Sequence, residues 1–254
     1  MRLSIVIPAY NEERRIQRML DAYLPFFTER YGGDVEFVIV VNGSTDRTAA
    51  VAESYVARWP CVRVLVEPSR IGKGGAVMMG MDAARGELVG FVDADGATPP
   101  DAFDQLAQHI GDAGIMIANR WDPRSRITPQ PWSRRAASRA FNGLVRFLFR
   151  VQIDDTQCGA KVMAQDAIRA IRPHLGITQW AFDVDLIFQI RRAGFRIAEA
   201  PTVWNDVAGS RLRLGRASFE MLLAIVRLRL LNSRLRWVVA VYDRTLARVF
   251  HYRP

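Results

Sequence analysis

Apolar runs alternate with helical periodicity through the first half of the chain. LSIVI at 3–7, FVIVV at 37–41, VRVLV at 62–66 and ELVGFV at 87–92 read as four strands. Between the first two, Asn11, Glu12 and Glu13 open a helix with Ile16, Leu20, Tyr23 and Leu24 on one side. Ser44, Thr45 and Asp46 make a cap-like start to a second helix through Val51 and Tyr55, and a glycine-rich turn leads to a third near 74–84. Repeated β–α units with short connections predict a mostly parallel sheet covered by helices. Ligands of such sheets bind outside the carboxyl ends of the strands. The stretches 8–11, 42–44, 70–75 and 93–95 all fall there, so four polar or glycine-rich turns converge on one edge.

The second half is less regular. GIMIAN at 114–119 predicts a fifth strand, 121–132 a proline- and arginine-rich loop, and 133–150 a basic helix. DDTQCGAKVM at 154–163 reads as a loop running into a short strand. WAFDVDLIFQIRRAG at 180–194 predicts a helix closing on glycine, and 195–201 an edge strand ended by proline.

Composition narrows the class. Half of the 254 residues are hydrophobic, enough for a full core and against wholesale disorder. Cys61 and Cys158, with no CxxC, exclude a disulfide framework or a cysteine zinc site and fit a reducing cytosol. The three histidines form no metal spacing. The opening MRLSIVIPAYNEE lacks the apolar core of a secretory signal, and no uncharged apolar stretch reaches membrane-spanning length. The net charge of +9 is uneven: from 211 to 254 there are ten arginines against two acids, leaving the rest near neutral.

FVDADGATPP at 91–100 carries the chemistry. Asp93 and Asp95 end an apolar strand one residue apart, and their charges require a cation, donors or water. Gly96 and the Pro99-Pro100 pair then end any regular structure. VIPAYNEE, VNGSTDRT, RIGKGGAVMMGMDAARGE and FVDADGATPP, in that order and spacing, resemble the family 2 glycosyltransferases. DTQCGAK followed by WAFDVD and GSRL most resembles the branch acting on polyprenyl phosphates, which includes dolichyl-phosphate glucosyltransferases and related mannosyltransferases. The resemblance implies a GT-A fold over 1–210, followed by a basic amphipathic helical segment over 211–254. It also implies an inverting transfer of a hexose from a nucleotide-sugar donor. Glucose from UDP-glucose is favoured, with GDP-mannose or a soluble acceptor as alternatives.

The implied metal is Mg²⁺ or Mn²⁺, bridging the donor's phosphates from Asp95 and Asp93, since such hard cations take oxygen ligands. The implied donor contacts are Pro8, Ala9, Tyr10, Glu12, Asn42, Ser44, Arg70, Lys73, Asp93 and Ala94. Lys73 is one of two lysines among 35 basic side chains, and the glycines around it let backbone approach a ligand. Relatives commonly have acids where Val41 and Asn42 stand, so the choice between uracil and guanine is left open. Asp183 matches the family's catalytic aspartate; Asp185 is either a second candidate or a structural partner of Arg191 or Arg192. Arg120, Arg134, Ser138, Gln157 and Arg211 are candidate acceptor-phosphate contacts, with Arg134 and Ser138 four apart on one helical face. Cys158 reads as a packing residue.

The tail, with clustered leucines, arginines and Trp237, is too charged to span a bilayer and suits an anionic headgroup layer. The alternative is a helix packed on the domain or on a second copy. Together these features place the chain in the cytoplasm, peripheral on the membrane's cytoplasmic face. A nucleic-acid binder is the remote alternative that the acid doublet argues against; oligomerisation is left open.

Overall fold

The computed structural model describes residues 1–129, 131–176, 181–205, 214–234, 237 and 239, excepting the side chains of 134 and 214–220. Four parallel strands form its first half: β1 (Leu3–Ala9), β2 (Val35–Asn42), β3 (Val62–Glu67) and β4 (Leu88–Val92). They are joined by α1 (Ile16–Tyr31), α2 (Thr48–Glu53) and α3 (Gly72–Ala83). Next come α4 (Pro100–His109), β5 (Ile115–Asn119), β6 (Arg126–Ile127), α5 (Trp132–Phe149), β7 (Ala160–Ala164) and α6 (Gln165–Ile171). The series closes with α7 (Phe182–Arg192), β8 (Ile197–Pro201), β9 (Val203–Trp204) and α8 (Leu214–Leu231).

The main sheet has the order β3-β2-β1-β4-β7-β5-β8, with β7 antiparallel to both neighbours. Helices cover both faces, which is why β1 and β2 are buried throughout and mostly apolar rather than alternating. Leu3, Ile5, Ile7, Phe37, Ile39 and Val41 pack on one face with α1 and α4, while Val6, Val38 and Val40 pack on the other with α3 and α7.

Four sequence expectations need correction. The first helix starts at Ile16, because Asn11 takes a left-handed φ of 54° and the following turn is tied to the β2–α2 loop. Pro100 begins α4 rather than ending structure, since a proline at a helix start needs no N–H partner. The proline- and arginine-rich loop contributes β6, which pairs in parallel with β9 in a second small sheet. The helix through Tyr55 stops at Glu53, and Tyr55 Oη instead donates to Asp21 at 2.6 Å.

Close packing of α3 on β1 sets the height of the glycine-rich turn. A Cβ on Gly80 would stand 2.2 Å from Val6 Cγ1. We expect Gly80→Ala to lower stability by about 1–3 kcal/mol through overpacking, despite its better helix propensity; urea unfolding measures it.

Candidate active site

The four converging turns meet at the carboxyl end of the parallel strands. After β1, the turn at 10–13 is stitched to the turn after β2. Asn11 N–H donates to Ser44 Oγ (3.0 Å), Glu12 N–H to Thr48 Oγ1 (2.8 Å), and Thr45 N–H to Asn11 Oδ1 (2.8 Å). Ser44 therefore braces the loop, with its own proton still available to donate. Pro8 and Ala9 are buried within β1. The Arg70 guanidinium lies 4.5 Å from the centre of the Tyr10 ring, so the two form one lip of the cleft. Gly43, at φ 59°, allows this approach: a Cβ there would meet the Arg70 backbone at 2.8 Å.

Asn42 is 2% exposed and its Nδ2 donates to the Ala9 carbonyl at 3.2 Å. A carbonyl only accepts, so the amide orientation is fixed and Oδ1 is left facing away from that bond. Among the described residues Oδ1 has no partner, an unfilled acceptor. Glu12 is held by Arg15 at 2.5 and 2.6 Å; burial pushes its carboxyl above the ordinary range against that pairing, with Asp95 and Asp93 adding to the rise.

β4 delivers the acid doublet. Asp95 Oδ1 accepts from Ala97 N–H at 2.9 Å, and Gly96 turns the chain at φ 72°. Ala94 is buried between the two acids. Burial, then the charge of Asp93, raises the Asp95 carboxyl above its ordinary range, so negative charge is under-compensated here. The register pairs Val92 with Ala160 and Phe91 with Lys161, which brings β7 alongside the doublet. Gly159 has no room for a side chain, because a Cβ would stand 1.9 Å from Asp93 Oδ2.

Asp183 lies in the first turn of α7, where a helix favours negative charge. Lys161 Nζ donates to Asp183 Oδ1 and to the Cys158 carbonyl, both at 2.6 Å, and its side chain is wholly buried. Lys73 Nζ sits 2.8 Å from Asp93 Oδ1 and 3.9 Å from Asp183 Oδ2. Contact between α3 and α7 positions this group: a Cβ on Gly74 would meet Phe182 at 2.6 Å. Both ammonium groups also lie near the Phe91 ring, at 5.6 Å for Lys73 and 5.3 Å for Lys161. Burial alone would raise the Asp183 carboxyl, but Lys161 and Lys73 outweigh it and hold the group below the usual carboxylate range.

Lys161, Gly159 and Asp155 were not singled out from the sequence. The available signal for Lys161 was that it is the chain's other lysine. Arg120 forms a two-pronged ion pair with buried Asp155 at 2.7 and 2.9 Å, so only its remaining N–H groups are open to a ligand. Gln157 Nε2 is buried without a partner among the described residues, and Ser138 is half-buried on α5. Arg134 lies on α5 with its side chain outside the described set; Arg211 falls outside the described residues altogether. Asp185 is enclosed in the protein, accepting from Gly176 N–H (3.3 Å) and Gln189 Nε2 (3.0 Å), while Arg191 donates to the Phe149 and Arg150 carbonyls. Cys158 is fully buried, and burial pushes its thiol up to about 11.

Asp93 and Asp95 fit a hard divalent ion. They supply two carboxylates, Asp95 raised by burial and by its neighbour's charge and Asp93 paired with a part-exposed Lys73, and no group of three His, Cys, Asp or Glu ligands exists among the described residues. Phosphate and water oxygens would fill the other positions, as they commonly do around Mg²⁺.

A mostly parallel α/β sheet with glycine-rich turns and an acid doublet at the carboxyl end of its strands fits the GT-A glycosyltransferase fold. Solved structures agree on the fold. Mannosyl-3-phosphoglycerate synthase from Rubrobacter xylanophilus superposes with a TM-score of 0.69 at 19% identity, over 91% of this chain and 74% of that one. Glucosyl-3-phosphoglycerate synthase from Mycobacterium tuberculosis, in complex with Mn²⁺, uridine-diphosphate and glucosyl-3-phosphoglycerate, gives 0.65 at 20% identity, over 91% and 79%. The family model described as Glycosyl transferase family 2 matches residues 4–172, and the chain belongs to that family. Among its relatives, the dolichyl-phosphate beta-glucosyltransferase of Drosophila melanogaster is 38% identical over 227 residues, 84% of this chain and 69% of the relative. The enzyme of the same name in Dictyostelium discoideum is 34% identical over 240 residues, 89% and 73%.

The ion cluster makes a stability prediction. Lys161→Met strands buried charge and should cost about 3–5 kcal/mol, whereas Lys161→Met with Asp183→Asn should cost much less. Because Asp183 titrates lower in the folded than in the unfolded chain, its contribution is full above about pH 4 and is lost as pH falls through the folded value. Urea unfolding across that range should show the acid loss, diminished in the double variant.

Proposed function

We propose that the enzyme transfers glucose from UDP-glucose, with inversion, to a dolichyl or undecaprenyl phosphate. The family and the names of the relatives support this reading. The observation that carries it is the acid doublet at the sheet's rim beside an Asp183 carboxylate clamped by two lysines. Tyr10, Arg70, Asn42 and the 8–12 turn receive the nucleoside, and Lys73 and Arg70 face its phosphates. Asp95 and Asp93 would hold Mg²⁺ or Mn²⁺, which would supply charge neutralisation for a departing diphosphate.

A phosphate acceptor is already anionic near neutral pH, its second pKa being about 6, so no base need deprotonate it. Asp183, held below the ordinary carboxylate range by Lys161 and Lys73, is a weak base that stays ionised and still accepts hydrogen bonds. Its role is then to orient hydroxyl groups and Lys73, not to remove a proton. The open N–H groups of Arg120, the unpartnered Gln157 amide, Ser138, Arg134 and Arg211 receive the acceptor phosphate. Asn42 Oδ1 is buried without a partner among the described residues and as an amide acceptor sets no preference between a uracil and a guanine imino N–H, so GDP-mannose is the second reading.

Residues 1–210 form the catalytic domain in this proposal, and 211–254 a basic segment that rests on the anionic cytoplasmic membrane surface. Among the described residues no helix is long and apolar enough to cross a membrane. On α8, Ile225 and Leu228 pack against the domain, while Leu223 and Val226 are exposed, as is Trp237 beyond it. An exposed apolar row among arginines supports surface docking.

Two outcomes test the proposal. Asp95→Asn should abolish glucose transfer to polyprenyl phosphate with an unchanged melting temperature; normal turnover would end it. Leu223→Glu with Val226→Glu should reduce flotation with anionic liposomes by about tenfold while leaving binding of UDP with Mn²⁺ intact.

A further inference from the structure

Both of the chain's lysines approach Asp183, but they are held differently. Lys161 is wholly enclosed, with bonds of 2.6 Å to a carboxylate and a carbonyl. It cannot leave without stranding charge in the interior. The Lys73 side chain is 34% exposed and that of its partner Asp93 is 40% exposed. A pair so open to water is weak and easily exchanged. Lys73 also stands in the first turn of α3, on a flexible four-carbon stem with a rotatable ammonium.

Asp93 therefore has a competing use. A divalent ion reaching the doublet alone must displace the Lys73 ammonium, leaving two cations crowded together with no new anion between them. An ion arriving with a diphosphate meets no such penalty, because the phosphate oxygens give the displaced ammonium a new partner.

We infer that Lys73 is an exchangeable counter-ion that occupies Asp93 in the donor-free enzyme and yields it to a metal–diphosphate complex. The site thereby selects the ion together with the nucleotide and disfavours the ion alone. This rests on the donor reading above and adds a second, opposing role for Lys73 to its contact with phosphate. The committed Lys161 keeps Asp183 neutralised throughout the exchange, so the movement of Lys73 leaves no carboxylate of the cluster without a cation.

The test is Mn²⁺ titration, followed by the electron spin resonance of the free ion, with and without UDP. In Lys73→Met, Mn²⁺ alone should bind about tenfold tighter than in the unmutated chain, while UDP with Mn²⁺ binds about tenfold weaker. Lys73→Arg, which keeps the charge, should hold Mn²⁺ alone near its unmutated affinity. Unchanged or weaker binding of Mn²⁺ alone in Lys73→Met, with weaker UDP, would reduce Lys73 to a phosphate ligand and overturn the inference. If Lys73→Met fails to fold, Lys73→Gln carries the same comparison. If neither folds, the unmutated chain decides: UDP must tighten Mn²⁺ binding by at least about tenfold, and absence of that coupling overturns the inference. Failure of the unmutated chain to bind either UDP or GDP at saturating Mn²⁺ would instead refute the donor reading, while the Mn²⁺-only arm would still report on the counter-ion.

Discussion

Carboxylates gathered at the mouth of a cleft repel one another, and positive charge must hold them there. Asp93, Asp95 and Asp183 come from two elements, a strand end and a helix start; Lys73 joins Asp93 to Asp183, and Lys161 holds Asp183 from the interior. Most other features near the rim serve that arrangement. Gly159 makes room for Asp93, Gly74 lets α3 close on Phe182, and the β4–β7 register sets Lys161 beside Phe91. A side chain at Gly159 or Gly74 would collide with Asp93 or Phe182, and charge interactions at these separations change steeply with distance.

The cluster also divides stability from reactivity. Lys161 and Asp183 are enclosed and mutually satisfied, so they behave as part of the core. Lys73 and Asp93 are part-exposed, and Asp95, more enclosed, accepts one hydrogen bond among the described residues, from Ala97 N–H. The rigid half positions the labile half. A glycosyltransferase needs both, because the leaving diphosphate must be neutralised at a fixed point while its ligands come and go.

Much of the scaffold was legible in the sequence because buried parallel strands leave continuous apolar runs. The runs at 3–7, 37–41, 62–66, 87–92 and 114–119 all became strands of the main sheet, and 195–201 became its edge. The acid doublet and Asp183 were legible through motif spacing. What escaped depends on pairing between distant segments. Lys161 in AKVMA looks like any lysine on a strand until β7 is placed antiparallel between β4 and β5. Arg120 looked free, and only the fold brings Asp155 against its guanidinium. β6 was hidden because two residues carry no periodicity, and its pairing with β9 spans more than seventy positions. The Pro99-Pro100 pair was read as a stop, although a helix can begin on the second proline.

A crystal of the enzyme grown with UDP and Mn²⁺ tests the central claim most directly. The account predicts an ion bound by Asp93 and Asp95 against the diphosphate oxygens, Lys73 turned from Asp93 to a phosphate, and the Lys161–Asp183 pair unmoved. An ion or diphosphate seated away from the doublet, with Lys73 still on Asp93, would contradict it.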